Sequence, residues 1–123
     1  MQRLRLPHRL GLGAAAAFLA AGCGGGGRHG VSFSDDVQPI FDAKCVVCHP
    51  TSYEYLDLRR GRSYDELVRV SSALQPAFER VLPGRPELSY LLTHVPDPSR
   101  ERLLTDREKA VIERWILEGA PEN

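Results

Sequence analysis

Two cysteines and a histidine form the group with the clearest capacity for chemistry in this 123-residue chain. Cys45 and Cys48 are separated by two residues, and His49 directly follows the second cysteine. In a C-x-x-C-H motif the two thiols can form thioethers with the vinyl groups of a haem, and the imidazole can bind the iron. The motif therefore predicts one covalent haem c, attached at Cys45 and Cys48, with His49 as the proximal iron ligand.

Three other interpretations of the motif stay open. A disulfide or a thioredoxin-like redox pair normally accompanies a βαβ pattern, which this sequence lacks. A zinc site requires four ligands, so Cys45, Cys48 and His49 would need a fourth from elsewhere in the chain. The third interpretation is a chance occurrence of the motif. The export signal described below favours the haem over all three.

The usual distal ligand of the iron has no candidate in the predicted domain. Many electron-transfer cytochromes use methionine there, but the only methionine of this chain is Met1, which belongs to the predicted signal peptide. The chain has four histidines: His8, His29, His49 and His94. His8 falls in the signal and His29 in the predicted tether, so elimination leaves His94 as the candidate distal iron ligand.

Alternatives to distal ligation by His94 are also open. The residue can instead be a solvated histidine near a helix C-terminus, where the helix dipole favours its charge. The distal position can be empty or occupied by water, and Lys44 and Lys109 are remoter candidates, although Lys44 adjoins the proximal motif. Ligation by two histidines favours a low-potential electron carrier, whereas an open position favours binding of a gas or peroxide.

The first 23 residues have the layout of an export signal. Residues 1–9 are basic, residues 10–21 form an apolar run too short to span a membrane, and Cys23 follows. Residues 19–23 resemble a bacterial lipobox, except that Ala20 stands where leucine is more usual. We therefore expect a signal peptide over 1–22 and lipidation of Cys23; the alternative is ordinary cleavage nearby, which leaves Cys23 as a free thiol.

The lipid would place the protein at the periplasmic side of a bacterial membrane or at the cell surface. Gly24 stands where aspartate favours retention at the inner membrane, so the outer membrane is weakly favoured. A glycine-rich tether over 23–32 then leads to a single domain over 33–123. In a domain of about ninety residues, a haem would form a large part of the core.

Charge gives no sign of a nucleic-acid-binding protein. The chain has 16 basic and 16 acidic residues, and three of the basic ones, Arg3, Arg5 and Arg9, lie in the signal. Residues 23–123 therefore carry 13 basic and 16 acidic residues, a net charge near −3.

The regular patterns in the predicted domain are helical. The spacing predicts a short helix over 35–44, a helix of one or two turns that a capping box at Ser63–Glu66 opens, and a helix from Pro86 to His94. A second capping box at Thr105–Glu108 opens the closing helix, and Gly119 ends it. No segment shows sustained period-two alternation. The predicted fold class is all-α, with three to five short helices around one covalently bound haem.

Several of these motifs together resemble the planctomycete-type cytochrome c family. The resemblance covers most of the mature chain, in the segments Val31–Phe41, Ala43–Cys45 with Cys48 and His49, Leu58 with Ser63 and Tyr64, Pro83–Leu92, Leu104–Glu108, Ile112, Trp115–Ile116 and Glu118–Pro121. It implies a cytochrome c-like fold and a role in electron transfer. The family usually has a Met-Pro element before the closing helix, and residues 98–103 stand in its place here, so a distal methionine does not carry over.

The leading functional expectation is a non-enzymatic electron carrier, held at a membrane by its lipid, that exchanges electrons with a redox partner protein. The alternative is a haem-based sensor or small-ligand-binding module with an open distal position, which the missing methionine favours. A third possibility is a weak peroxidase-like enzyme, for which Arg100 or Arg102 could supply a polar distal group.

Overall fold

The computed structural model describes residues 30–93 and 104–123. Within these ranges the chain is helical and forms no strand, which confirms the all-α class. The elements in chain order are a π-helical turn at Phe33–Val37, α1 at Gln38–Lys44, α2 at Ser63–Leu67, a 3-10 turn at Pro86–Leu88, α3 at Tyr90–Thr93 and α4 at Asp106–Leu117. Among the described helices, none has the length and apolar character needed to cross a membrane.

The first helical stretch begins earlier than predicted. The Ser32 side chain accepts a hydrogen bond from the backbone N–H of Asp35 at 3.2 Å and so caps the π-helical turn, which runs directly into α1. Pro39 lies in the first turn of α1, where its missing N–H costs nothing. Val37, Ile40 and Phe41 are buried, as their spacing predicted.

The closing helix forms as predicted from its local signals. The Thr105 hydroxyl accepts from the backbone N–H of Glu108 at 3.2 Å, and the Glu108 carboxylate accepts from the backbone N–H of Thr105 at 2.8 Å, which completes the capping box. After α4 ends, Gly119 adopts a φ of +97°, a conformation that favours glycine. Trp115 and its helical neighbours Ile112 and Ile116 are buried.

The capping box predicted at Ser63 is wrong. Arg62 occupies the N-cap position of α2 without a side-chain cap, and Ser63 is fully buried inside the first turn. Its hydroxyl donates to the Oε1 atom of buried Gln38. Gln38 Nε2 in turn donates to Asp42 Oδ1 at 2.8 Å and to the carbonyl of Leu58 at 3.0 Å. The Ser63 hydroxyl therefore joins α2 to α1, because a buried amide oxygen requires a donor.

The helix predicted from Pro86 onward is interrupted at Ser89. The 3-10 turn ends there with an extended backbone (ψ 117°), and α3 begins at Tyr90. The buried Ser89 hydroxyl donates to the carbonyl of Arg85 at 2.9 Å and accepts from the backbone N–H of Leu82 at 2.9 Å. Hydroxyl bonds of this kind compete with the helical backbone pattern, which explains the break.

Residues 68–81, called the 68–81 loop below, fold back on themselves between α2 and the 3-10 turn. The backbone N–H of Ser72 donates to Phe78 at 2.8 Å, and that of Arg80 donates to Val70 at 2.6 Å. The backbone N–H of Leu91 in α3 donates to the carbonyl of Arg80 at 2.9 Å. The loop is thereby fixed to α3, although the bridges in it are isolated and make no sheet.

The core joins the beginning of the described chain to its end. Phe33 packs against Trp115 with ring centroids 5.1 Å apart and edge-on against Tyr64 at 5.2 Å. The backbone N–H of Phe33 donates to Asn123 Oδ1 at 2.8 Å, and that of Val31 donates to the Glu118 carboxylate at 2.7 Å. These contacts hold residues 30–34 against the segment that follows α4.

Candidate functional site

The cysteine–histidine motif continues directly from α1. Cys45 caps the C-terminus of this helix, where its backbone N–H donates to the carbonyl of Phe41 at 2.8 Å. The carbonyl of Cys45 then accepts from the backbone N–H of Cys48 at 3.1 Å and from that of His49 at 2.9 Å. The motif therefore folds as a further turn, and its geometry is set by its own backbone hydrogen bonds.

All three motif side chains line one cavity with a volume of about 580 Å³. Its wall is mostly apolar; the leucines in it are Leu56, Leu58, Leu67, Leu74, Leu91, Leu92 and Leu104. Val47 and Leu74 belong to the same wall and are 74% and 50% exposed, so the cavity opens at the protein surface. An apolar cleft of this size with a few polar groups is typical of a cofactor or small-molecule site.

Aromatic side chains hold the imidazole of the motif. Tyr53 stacks on His49 with ring centroids 5.0 Å apart and an interplanar angle of 30°. Tyr55 contacts the imidazole edge-on at 6.3 Å, and it also contacts Tyr53 at 5.9 Å. These two ring contacts restrict rotation of the imidazole at the cavity wall.

The two thiols differ in environment. Cys48 is exposed, whereas Cys45 is half-buried beside the core. Burial raises the pKa of the Cys45 thiol to about 11, and the negative charge of Cys48 and of Glu108 adds to this effect. Cys45 is therefore a protonated and poorly nucleophilic thiol at neutral pH.

This difference predicts unequal alkylation of the two thiols in haem-free protein. A pKa near 11 in place of the ordinary 9.0 leaves about 100-fold less thiolate on Cys45 at neutral pH. We expect iodoacetamide to modify Cys48 well before Cys45, as followed by peptide mass spectrometry over time. Denatured protein is the control, and in it the two rates should converge; equal rates in the folded protein would contradict the prediction.

In the structure, Cys45 and Cys48 are free thiols. In residues 30–93 and 104–123, no cluster of three or more His, Cys, Asp or Glu side chains is arranged to hold a metal ion by itself. The two thiols and the imidazole share the wall of one cavity.

The candidate distal side is described only in part. Lys44 and Lys109 both line the cavity, and Lys44 Nζ lies 3.8 Å from the Glu108 carboxylate, which keeps this lysine at the rim. Cys23, His94, Arg100 and Arg102 lie outside the described residues. Thr93, the last described residue of α3, lines the cavity.

Sequence reasoning missed a buried cation in the wall of the cavity. Arg80 is only 9% exposed; its Nη1 donates to the carbonyl of Glu66 at 2.7 Å and to the carboxylate of Glu66 at 3.1 Å. Its Nη2 donates to the carbonyl of Tyr55 at 2.7 Å. The sequence offers no signal for this position, because an arginine in an irregular segment is ordinarily solvated.

Taken together, the cavity wall presents two thiols, an imidazole, a few charged side chains and a mostly apolar surface to any molecule that enters. The C-x-x-C-H arrangement can form two thioethers and one iron–nitrogen bond, and the resemblance to planctomycete-type cytochrome c stays an interpretation of the motifs. No protein family, curated protein or solved structure was found to match this chain.

Proposed function

We propose that this protein is an exported mono-haem c-type cytochrome, tethered to a membrane through Cys23, that transfers electrons to or from a partner protein. The observation that carries the proposal is the convergence of Cys45, Cys48 and His49 on one apolar cavity of about 580 Å³. A haem bound there would supply one-electron redox chemistry at its iron. The finer fold assignment, a cytochrome c-like arrangement around the cofactor, is part of the same proposal.

Each part of the site has a defined role in this proposal. The thiols of Cys45 and Cys48 anchor the cofactor, and the imidazole of His49, held by Tyr53 and Tyr55, binds the iron. The apolar wall excludes water and provides a low dielectric around the iron, and the exposed rim at Val47 and Leu74 gives a partner protein access to the cavity. Electron transfer at such a rim requires no catalytic acid or base.

Attachment of the cofactor is the direct test. The full chain is produced in a bacterium together with the cytochrome c maturation machinery, purified, and examined by mass spectrometry and by its absorption spectrum in alkaline pyridine. We expect a mass increase of one haem and the spectrum of a haem joined by two thioethers. Protein produced without the machinery is the control. A soluble, folded product that carries no covalent haem in the complete system would overturn the proposal.

A second candidate function follows from the absence of a methionine other than Met1. Without a methionine ligand, the distal position is either filled by another residue, with His94 as the candidate, or open for a small molecule. An open position would make the protein a haem-based sensor or ligand-binding module. Carbon monoxide added to the reduced protein distinguishes the two functions: rapid binding supports the sensor, and no binding supports the six-coordinate electron carrier.

A further inference from the structure

Arg80 carries its positive charge in a buried position, where a charge lowers the stability of the fold unless it is balanced. Its side chain is 11% exposed, whereas that of Glu66, its ion-pair partner, is 39% exposed, so the cation lies deeper than the anion that balances it. Burial of a guanidinium is unfavourable unless its donors and charge are satisfied. The bonds to Glu66 and Tyr55 use three of its five N–H donors.

Ser72 is a second buried polar residue in the cavity wall, and like Arg80 it belongs to the 68–81 loop. Ser72 is 4% exposed, and its hydroxyl oxygen accepts from the backbone N–H groups of Leu74 at 3.3 Å and Gln75 at 3.2 Å. A hydroxyl that accepts twice still has its own proton to donate. The 68–81 loop thus brings a cation and a hydroxyl donor to the wall of a mostly apolar cavity.

A guanidinium and a hydroxyl donor in the wall of one cavity suit a carboxylate, because charge-assisted hydrogen bonds to ionised oxygen are the strong ones. We propose that Arg80 and Ser72 bind a propionate carboxylate of the haem. This inference rests on the proposed function and deepens it, since it assigns the propionate end of the cofactor to the 68–81 loop.

The positions of the other cations agree with this assignment. A haem carries its vinyl groups and its propionates on opposite edges, and Cys45 and Cys48 determine where the vinyl edge lies. Lys44 precedes Cys45 directly and lies beside Glu108, so it belongs to the thiol end of the cavity. Arg80 comes from a separate segment and is bonded to Tyr55, beyond the motif. Lys109 adjoins Glu108 on α4, so it lies near Lys44. Arg80 is thus the cavity cation on a segment separate from both the motif and α4, and we assign the propionate edge to it.

The test compares the reduction potential of haem-loaded variants as a function of pH. Arg80→Gln removes the cation, Arg80→Lys keeps its charge, and Ser72→Ala removes the hydroxyl. Arg85→Gln is the matched control, because Arg85 is exposed and paired with exposed Glu87 outside the cavity. The other charged or titratable cavity residues, Lys44, Tyr53, Tyr55, Tyr90, Asp106 and Lys109, and also Glu66, are unchanged in every variant.

The wild type and the Arg85→Gln control should show a nearly constant potential between about pH 5 and pH 8, because the cation keeps the propionate ionised. In Arg80→Gln the potential should be lower at the alkaline end, since loss of a nearby positive charge favours oxidised iron. It should then rise as the pH falls, because the propionate takes up a proton. Arg80→Lys should restore most of the constant profile.

Resonance Raman spectroscopy of the propionate bending mode provides a readout that a purely structural role would not change. We expect this band to shift in Arg80→Gln and in Ser72→Ala and to stay in place in Arg85→Gln. An unchanged band and an unchanged pH profile in haem-loaded Arg80→Gln would overturn the inference. If Arg80→Gln does not accumulate, an unchanged band in haem-loaded Ser72→Ala would overturn the inference instead. A wild type that takes up no haem refutes the proposed function itself, and this inference with it.

Discussion

Serine at both Cys45 and Cys48 is expected to give a protein that carries no covalent haem. Hydroxyls do not form thioethers with the vinyl groups, so His49 alone would hold any bound cofactor, and denaturation would release it. Without haem, the wall of the cavity of about 580 Å³ would also lose its apolar contacts with the cofactor. We expect the free energy of unfolding to fall by at least about 3 kcal/mol relative to haem-loaded wild type, the upper value for one large apolar side chain.

Mass spectrometry after acid denaturation measures the covalent haem, and urea unfolding followed by far-UV circular dichroism measures the stability. Cys23→Ser is the matched control, because it replaces the remaining cysteine of the chain. This variant should keep its haem and move from the membrane fraction to the soluble fraction. Covalent haem in the double variant would show that the motif is not the attachment site.

Trp115→Ala is expected to remove a large part of the stability of the domain. Trp115 is fully buried, packs against Phe33, and donates its indole N–H to the carbonyl of Pro121 at 3.0 Å. Truncation of a buried tryptophan costs about 3–5 kcal/mol, and domains of this kind are stable by only about 5–15 kcal/mol. The urea midpoint should therefore fall sharply, or the variant should fail to accumulate.

Circular dichroism is the appropriate probe, because Trp115 is the only tryptophan and its loss removes the intrinsic fluorescence signal. Leu117→Ala is the control on the same helix. Leu117 is 57% exposed, so its truncation should change the stability by no more than about 0.5 kcal/mol. Similar midpoints for the two variants would contradict the packing around Trp115 described above.

The elements that the sequence predicted well are those defined by neighbouring residues. The capping box at Thr105 and Glu108 and the terminator Gly119 act over three residues or fewer, so they can be recognised without knowledge of the rest of the fold. The same holds for the apolar face of α1. The C-x-x-C-H motif is equally local, and its two cysteines and histidine line one cavity, whereas their role in holding a haem stays a prediction.

The errors arise where a distant partner determines the local structure. Ser63 has the sequence context of an N-cap, but its hydroxyl bonds to Gln38, which lies 25 residues away. Ser89 interrupts a predicted helix because its hydroxyl bonds to residues of the preceding turn. Arg80 is buried only because Glu66 and Tyr55 surround it. No propensity or spacing encodes these pairings, which depend on the folded chain.

The contact between residues 30–34 and the segment after α4 has a mechanical consequence. If a lipid holds Cys23 in a bilayer, any pull on the tether reaches the domain at Val31 and Phe33, where hydrogen bonds to Glu118 and Asn123 resist it. None of these four residues belongs to the cavity wall. Such a pull would therefore act first on the contacts between residues 30–34 and the segment after α4, and not on the residues that line the cavity.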